Sequence, residues 1–104
     1  MTTGVTDDHT RYVVLLCQVP SLETSGDLIK RHVQYLRRLT REGRLELCGP
    51  FIGYPGGMVI LRASSLDEAK AIAVQDPFVT EGARTFEVRT WKLSREENNH
   101  LGMG

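Results

Sequence analysis

Two residues of the chain place reactive side chains where an apolar face is expected, His32 and Asp76. Asp27 to Arg41 runs without glycine or proline, and Gly43 supplies a stop just past its end. At roughly 100° per residue, Leu28, Ile29, Val33, Leu36 and Leu39 fall on one stripe of that helix. His32 lies in the middle of the stripe, between Leu28 and Leu36. Asp76 occupies the inward step that follows Ala69, Ile72 and Ala73 on a second helix, and Pro77 disfavours helical geometry there, so that helix should end at Asp76. Both side chains then point to the same sheet face. A carboxylate bonded to an imidazole fixes its tautomer and favours the protonated form, which suits general acid/base work near neutral pH. The same bond can also do no more than tie two helices together, and the pattern alone leaves both readings open.

Other reactive side chains are less well placed. Cys17 and Cys48 are isolated thiols inside apolar runs, with no CxxC pair and no nearby histidine. They read as buried, unpaired packing residues, with a disulfide or a metal site as the alternative. His9 beside Asp7 and Asp8 has ligand chemistry but sits in a polar leader, and His100 sits in a polar tail, so no metal site is expected. Gly49 and Gly53 open no helix, which excludes the strand-to-helix loops that cradle phosphates. Tyr12, Tyr35, Phe51 and Phe78 read as core; Phe51 and Phe78 adjoin the reactive positions and are candidates for lining a substrate pocket.

The elements that must hold these residues follow from periodicity. Residues 1–10 are a polar leader, expected to be flexible. Arg11 to Val19 is apolar on both alternations, as in a strand buried on both faces. After a polar break and the first helix, Arg44 to Phe51 and Met58 to Ala63 form a hairpin around Gly53-Tyr-Pro-Gly-Gly57. Ser65-Leu-Asp-Glu68 is a capping box that opens the second helix. Thr85 to Leu93 is the last strand, and residues 94–104 form a polar tail. The order βαββαβ is the split plan of ferredoxin-like α+β domains, a four-stranded antiparallel sheet with two helices on one face. Residues 11–93 make one such domain. Its other sheet face would be left open and partly apolar, a hazard that a second copy packed sheet to sheet removes.

Composition bounds the function. A chain of 104 residues has room for one core. Thirteen basic and thirteen acidic residues cancel, so no general attraction to nucleic acid or to an anionic membrane is expected. No apolar run approaches the ~20 residues of a membrane-spanning helix, and the start lacks the basic-then-apolar order of a secretory signal. A cytoplasmic protein is expected.

The sequence resembles the YciI-like (YCII-related) family in four places: His32-Val-Gln-Tyr-Leu36; Glu42-Gly-Arg-Leu45 into Cys48-Gly-Pro-Phe51; Gly56-Gly-Met-Val-Ile60; and Asp76-Pro-Phe78 after a capped, alanine-rich helix. Val88 to Trp91 also fits, so the resemblance runs from about Tyr12 to Trp91. It implies a homodimeric α+β barrel in which two ferredoxin-like sheets face each other. It also implies a histidine–aspartate active site at His32 and Asp76, working on a small-molecule ligand without a cofactor. Some relatives carry an arginine three residues before the histidine, where this chain has Ile29. One activity in the family is dehydrochlorination of a chlorinated hydroxyquinol; the neighbouring barrels include lactone isomerases and cofactor-free monooxygenases. The expected activity is elimination, isomerisation or hydrolysis, with a non-enzymatic ligand-binding or accessory dimer as the alternative.

Overall fold

The computed structural model of the protein describes residues 8–20 and 24–104. Most of the expected leader, and residues 21–23 of the polar break, lie outside the described residues. The strands are β1 (Thr10–Gln18), β2 (Leu45–Pro50), β3 (Gly57–Leu61) and β4 (Arg84–Lys92); the helices are α1 (Gly26–Arg41), α2 (Leu66–Ala73) and a short α3 (Pro77–Thr80). All three pairings are antiparallel, in the order β2-β3-β1-β4. This is the ferredoxin-like α+β fold.

Local chemistry explains where the helices begin and end. The Ser25 hydroxyl accepts the Leu28 amide at 3.1 Å, Asp27 lies in the first turn of α1, and Arg38 and Arg41 lie in the last. The cap and the charges thus complement both ends of the helix. Gly43, at φ 74°, turns the chain out of α1 in the left-handed conformation that costs glycine least. At α2 the Ser65 hydroxyl accepts the Glu68 amide, while the Glu68 carboxylate reaches back to the Ser64 amide at 2.8 Å rather than to Ser65. The second helix stops at Ala73, earlier than expected, and a separate turn of helix follows Asp76.

The core lies between the helices and one sheet face. Tyr12, Val14 and Leu16 of β1, Val59 and Leu61 of β3 and Val88 of β4 pack with Tyr35 and Leu39 of α1 and Ala69, Ile72 and Ala73 of α2. Leu28, Tyr35 and Leu39 are the buried residues of α1, whereas Ile29 is exposed, a correction to the expected stripe. Tyr35 takes the inward place because its ring fills the space above Ile72 and its hydroxyl finds the Ile72 carbonyl at 2.7 Å.

The opposite sheet face carries the alternate residues of β1. Val13 and Leu15 are half-buried, and Leu47 and Trp91, which belong to that face by register, are exposed. Both cysteines are free and exposed, against the expectation of burial. Cys17 follows Val13 and Leu15 onto the open face near the end of β1. Cys48 pairs with Val59, and Val59 with Val14, so its side chain belongs to the helix side of the edge strand β2. Apolar neighbours in sequence therefore did not translate into cover. The two thiols lie on opposite faces with β3 between their strands, which leaves no geometry for a bond between them.

Arg11 is almost fully buried on the open-face side of β1. Its guanidinium pairs with Glu46 and donates to the carbonyls of Asp8 and Thr10 at 3.0 and 2.9 Å. A register shift between Leu45 and Leu47 frees Glu46 from the regular ladder, and Arg62 approaches its second oxygen at 3.5 Å. No helix among the described residues is long and apolar enough to cross a membrane. The C-terminal segment, read as a polar tail, contains a turn at Glu96–Asn98 followed by left-handed backbone at Asn99, His100 and Leu101, held by the Asn98 side chain.

Candidate active site

His32 projects from α1 toward the start of α3, where Asp76 is the N-cap residue. Asp76 is extended, with φ −60° and ψ 127°, because Pro77 follows it, and its carboxylate Oδ1 accepts the Phe78 amide at 2.9 Å. The same oxygen lies 2.8 Å from Nδ1 of His32. The side chains are 14% and 3% exposed, so the carboxylate is sealed and the imidazole keeps an opening. The sequence-predicted pair is thus brought together.

The hydrogen-bond pattern sets the tautomer. Oδ1 is already an acceptor toward the Phe78 amide, and an ionised carboxylate has no proton to give. Nδ1 of His32 therefore donates, and in the neutral ring Nε2 carries the bare lone pair. A base with one nitrogen anchored and the other free can take a proton from a bound molecule and return it.

Aromatic contacts complete the surroundings. The His32 and Phe78 rings are stacked with centroids 3.8 Å apart and planes inclined by 7°. The Arg84 guanidinium carbon lies 4.7 Å from the centroid of the Phe78 ring. Tyr35, one turn along α1 from His32, is held by the Ile72 carbonyl; burial, with the nearby Asp76 carboxylate adding to it, pushes its hydroxyl well above the ordinary range. Arg31 pairs with Asp27 at 3.1 Å and Glu81 at 3.5 Å, linking α1 to the residue after α3.

Phe51, read as core, is instead exposed and lies elsewhere at the same end of the sheet. It follows β2, donates its amide to the Gly56 carbonyl at 3.0 Å and meets Tyr54 edge to face, with centroids 6.1 Å apart. Ile52 and Tyr54 are highly exposed beside it. Two open grooves of about 450 and 350 Å³ lie beside the C-terminal end of α1, around Glu42, Arg44 and Glu68, and neither is lined by His32 or Asp76. Among the described residues no three His, Cys, Asp or Glu side chains converge as metal ligands. His9 lies in a turn, and Asp7 lies outside the described residues.

Sequence reasoning read Tyr35 as core, where it lies, and missed Arg84, whose approach to Phe78 depends on the turn between α3 and β4.

The chain is similar to several known proteins. Residues 10–92 match the family model of the YCII-related domain. The uncharacterized protein YjpA of Bacillus subtilis (strain 168) is 32% identical over 84 residues, covering 81% of this chain and 99% of YjpA. Among solved structures, the 5-chloro-2-hydroxyhydroquinone dehydrochlorinase TftG of Burkholderia phenoliruptrix AC1100, in complex with 2,5-dihydroxybenzoquinone, aligns with a TM-score of 0.62 at 24% identity. That alignment covers 86% of this chain and 99% of TftG, a likeness of fold.

Proposed function

Because the chain belongs to the YCII-related family and anchors one nitrogen of His32 on a buried carboxylate, we propose that it is a small cofactor-free enzyme doing acid/base chemistry on a small organic molecule. His32 is the proton-transfer group through Nε2, and Asp76 holds the ring in the required tautomer. The observation that supports this reading is the shared oxygen: Oδ1 of Asp76 accepts the Phe78 amide and lies 2.8 Å from Nδ1 of His32, which donates to it when the carboxylate is ionised. Elimination, isomerisation and hydrolysis all need such a base. The dehydrochlorinase activity named for TftG favours elimination, and its bound dihydroxyquinone favours a hydroxylated ring as substrate. Phe51, at the same end of the sheet, is proposed to line the wall of the binding site.

The working form is proposed to be a homodimer. Exposed Leu47 and Trp91 and half-buried Val13 and Leu15 share the face turned away from the helices, and a second copy would cover them. Two free cysteines fit a reducing compartment, so a cytoplasmic location is proposed.

A second reading has its own support. The His32–Asp76 bond joins α1 to the start of α3, so the pair also serves as a helix tie in a ligand-binding module that performs no reaction. Titration with 2,5-dihydroxybenzoquinone separates the two. The acid/base reading expects the thermal midpoint of the wild type to rise with dose, by about 2.7 kcal/mol of stabilisation at a hundredfold excess over Kd, and the rise to vanish in His32→Ala. Equal shifts in both proteins contradict it.

A further inference from the structure

The bond to Asp76 fixes one nitrogen of His32 but leaves the imidazole free to pivot about that contact. The ring of Phe78 opposes the pivot, since it lies parallel to the imidazole at 3.8 Å and covers one of its faces. Phe78 is itself half-buried on a helix of four residues, Pro77–Thr80, and a phenyl ring there has room to swing. Its far face is closed by Arg84. With one face filled by the imidazole, the guanidinium at 4.7 Å from the centroid takes the other. Arg84 is in turn secured: its Nη1 donates to the Thr24 hydroxyl at 3.1 Å and to the Ala83 carbonyl at 2.9 Å. Thr24 immediately precedes the cap of α1, and Arg84 opens β4, where it pairs with Gln18.

We propose that Arg84 is a positioning residue for His32, acting through Phe78 so that Nε2 keeps a single direction. The phenyl ring lies between the guanidinium and the imidazole, and both outer groups are hydrogen-bonded, one to the N-terminal approach of α1 and the other to Asp76. A flat cation is attracted to the aromatic face and covers it evenly, which a lysine ammonium does not do. Phe78 is thereby assigned as a spacer rather than a stacking platform for substrate, because both of its faces are occupied. A base held to one orientation transfers a proton more efficiently than one that samples several. This inference rests on the acid/base reading of His32 and adds a residue to it.

Proton NMR of the full chain tests the proposal without a substrate. The His32 ring protons lie over the face of Phe78 and should resonate upfield of those of His9 and His100; Phe78→Leu should abolish that displacement. Arg84→Ala should remove most of it and speed the flipping of the Phe78 ring, while the backbone amide spectrum is otherwise retained. Arg84→Lys should restore only part. If Arg84→Ala fails to fold, Arg84→Met keeps a long stem and is expected to give the same loss. An unchanged His32 displacement in folded Arg84→Ala or Arg84→Met overturns the proposal. Since turnover is not involved, failure of the stack and failure of the acid/base reading show up in different measurements.

Discussion

Asp76 and His32 are 44 positions apart in sequence and 2.8 Å apart in space, and the acceptor atom that joins them also starts α3. One oxygen therefore serves both the local fold and the reactive ring. Asp76→Ala removes both bonds and should lower the unfolding free energy by roughly 1.5–3 kcal/mol, the range for hydrogen bonds to a charged group. Asp76→Asn keeps an acceptor oxygen and should lose less. Urea unfolding of the two variants measures this, and equal losses would mean that the charge, not the acceptor, stabilises the site.

The ion pair on the open face predicts an acid limb. The hydrogen bond from Arg11 holds the Glu46 carboxyl below its ordinary value of 4.5. The unfolded chain then binds a proton at a higher pH than the folded one, so the pair's contribution is present above that value and is lost as pH falls through the lower folded one. Unfolding midpoints measured down a pH series should show this decline, and Glu46→Gln should flatten it while lowering stability at neutral pH. Glu68, whose carboxyl is lowered by its bond to the Ser64 amide, adds to the same limb.

The hairpin depends on Gly56. Its φ is 96°, and a Cβ there would lie 2.1 Å from the Leu16 carbonyl oxygen, so β1 and the turn could not both stay in place. Gly56→Ala should cost at least about 1–3 kcal/mol, the scale of backbone strain at a disfavoured φ. Thermal unfolding reads the loss, and a midpoint equal to the wild type would mean that the close approach is not kept in solution.

The thiols report on the open face. Cys17 belongs to that face, whereas Cys48 belongs to the helix side of β2 and has its thiol pushed up by desolvation. If a second copy covers the open face, labelling of Cys17 should slow as protein concentration rises and that of Cys48 should not. Light scattering should then give twice 11.7 kDa. A monomer at micromolar concentration, with Cys17 labelling independent of concentration, contradicts the dimer.

Much of this was legible in the residues. Alternation and capping gave the βαββαβ order, and the inward step of His32 and the Asp76-Pro77 break gave the pair. What the pattern could not give is how α1 rolls on the sheet: Ile29 and Tyr35 flank the same stripe, and only packing above Ile72 decides that Tyr35 goes in. Nor could it tell a covered strand position from an uncovered one, which is why Cys17 and Cys48 read as buried. The Phe78–Arg84 contact joins two elements across a turn and leaves no periodic trace.

A functional role for His32 is tested most directly by measuring the stability and the ligand response of His32→Ala together. Urea midpoints give the first, and the dose-dependent thermal shift with the dihydroxyquinone gives the second. A functional histidine predicts a fold nearly as stable as the wild type, or more so, with the ligand response abolished, since sites commonly trade stability for activity. A large loss of stability with the ligand response unchanged would contradict it and leave the pair as a tie between helices.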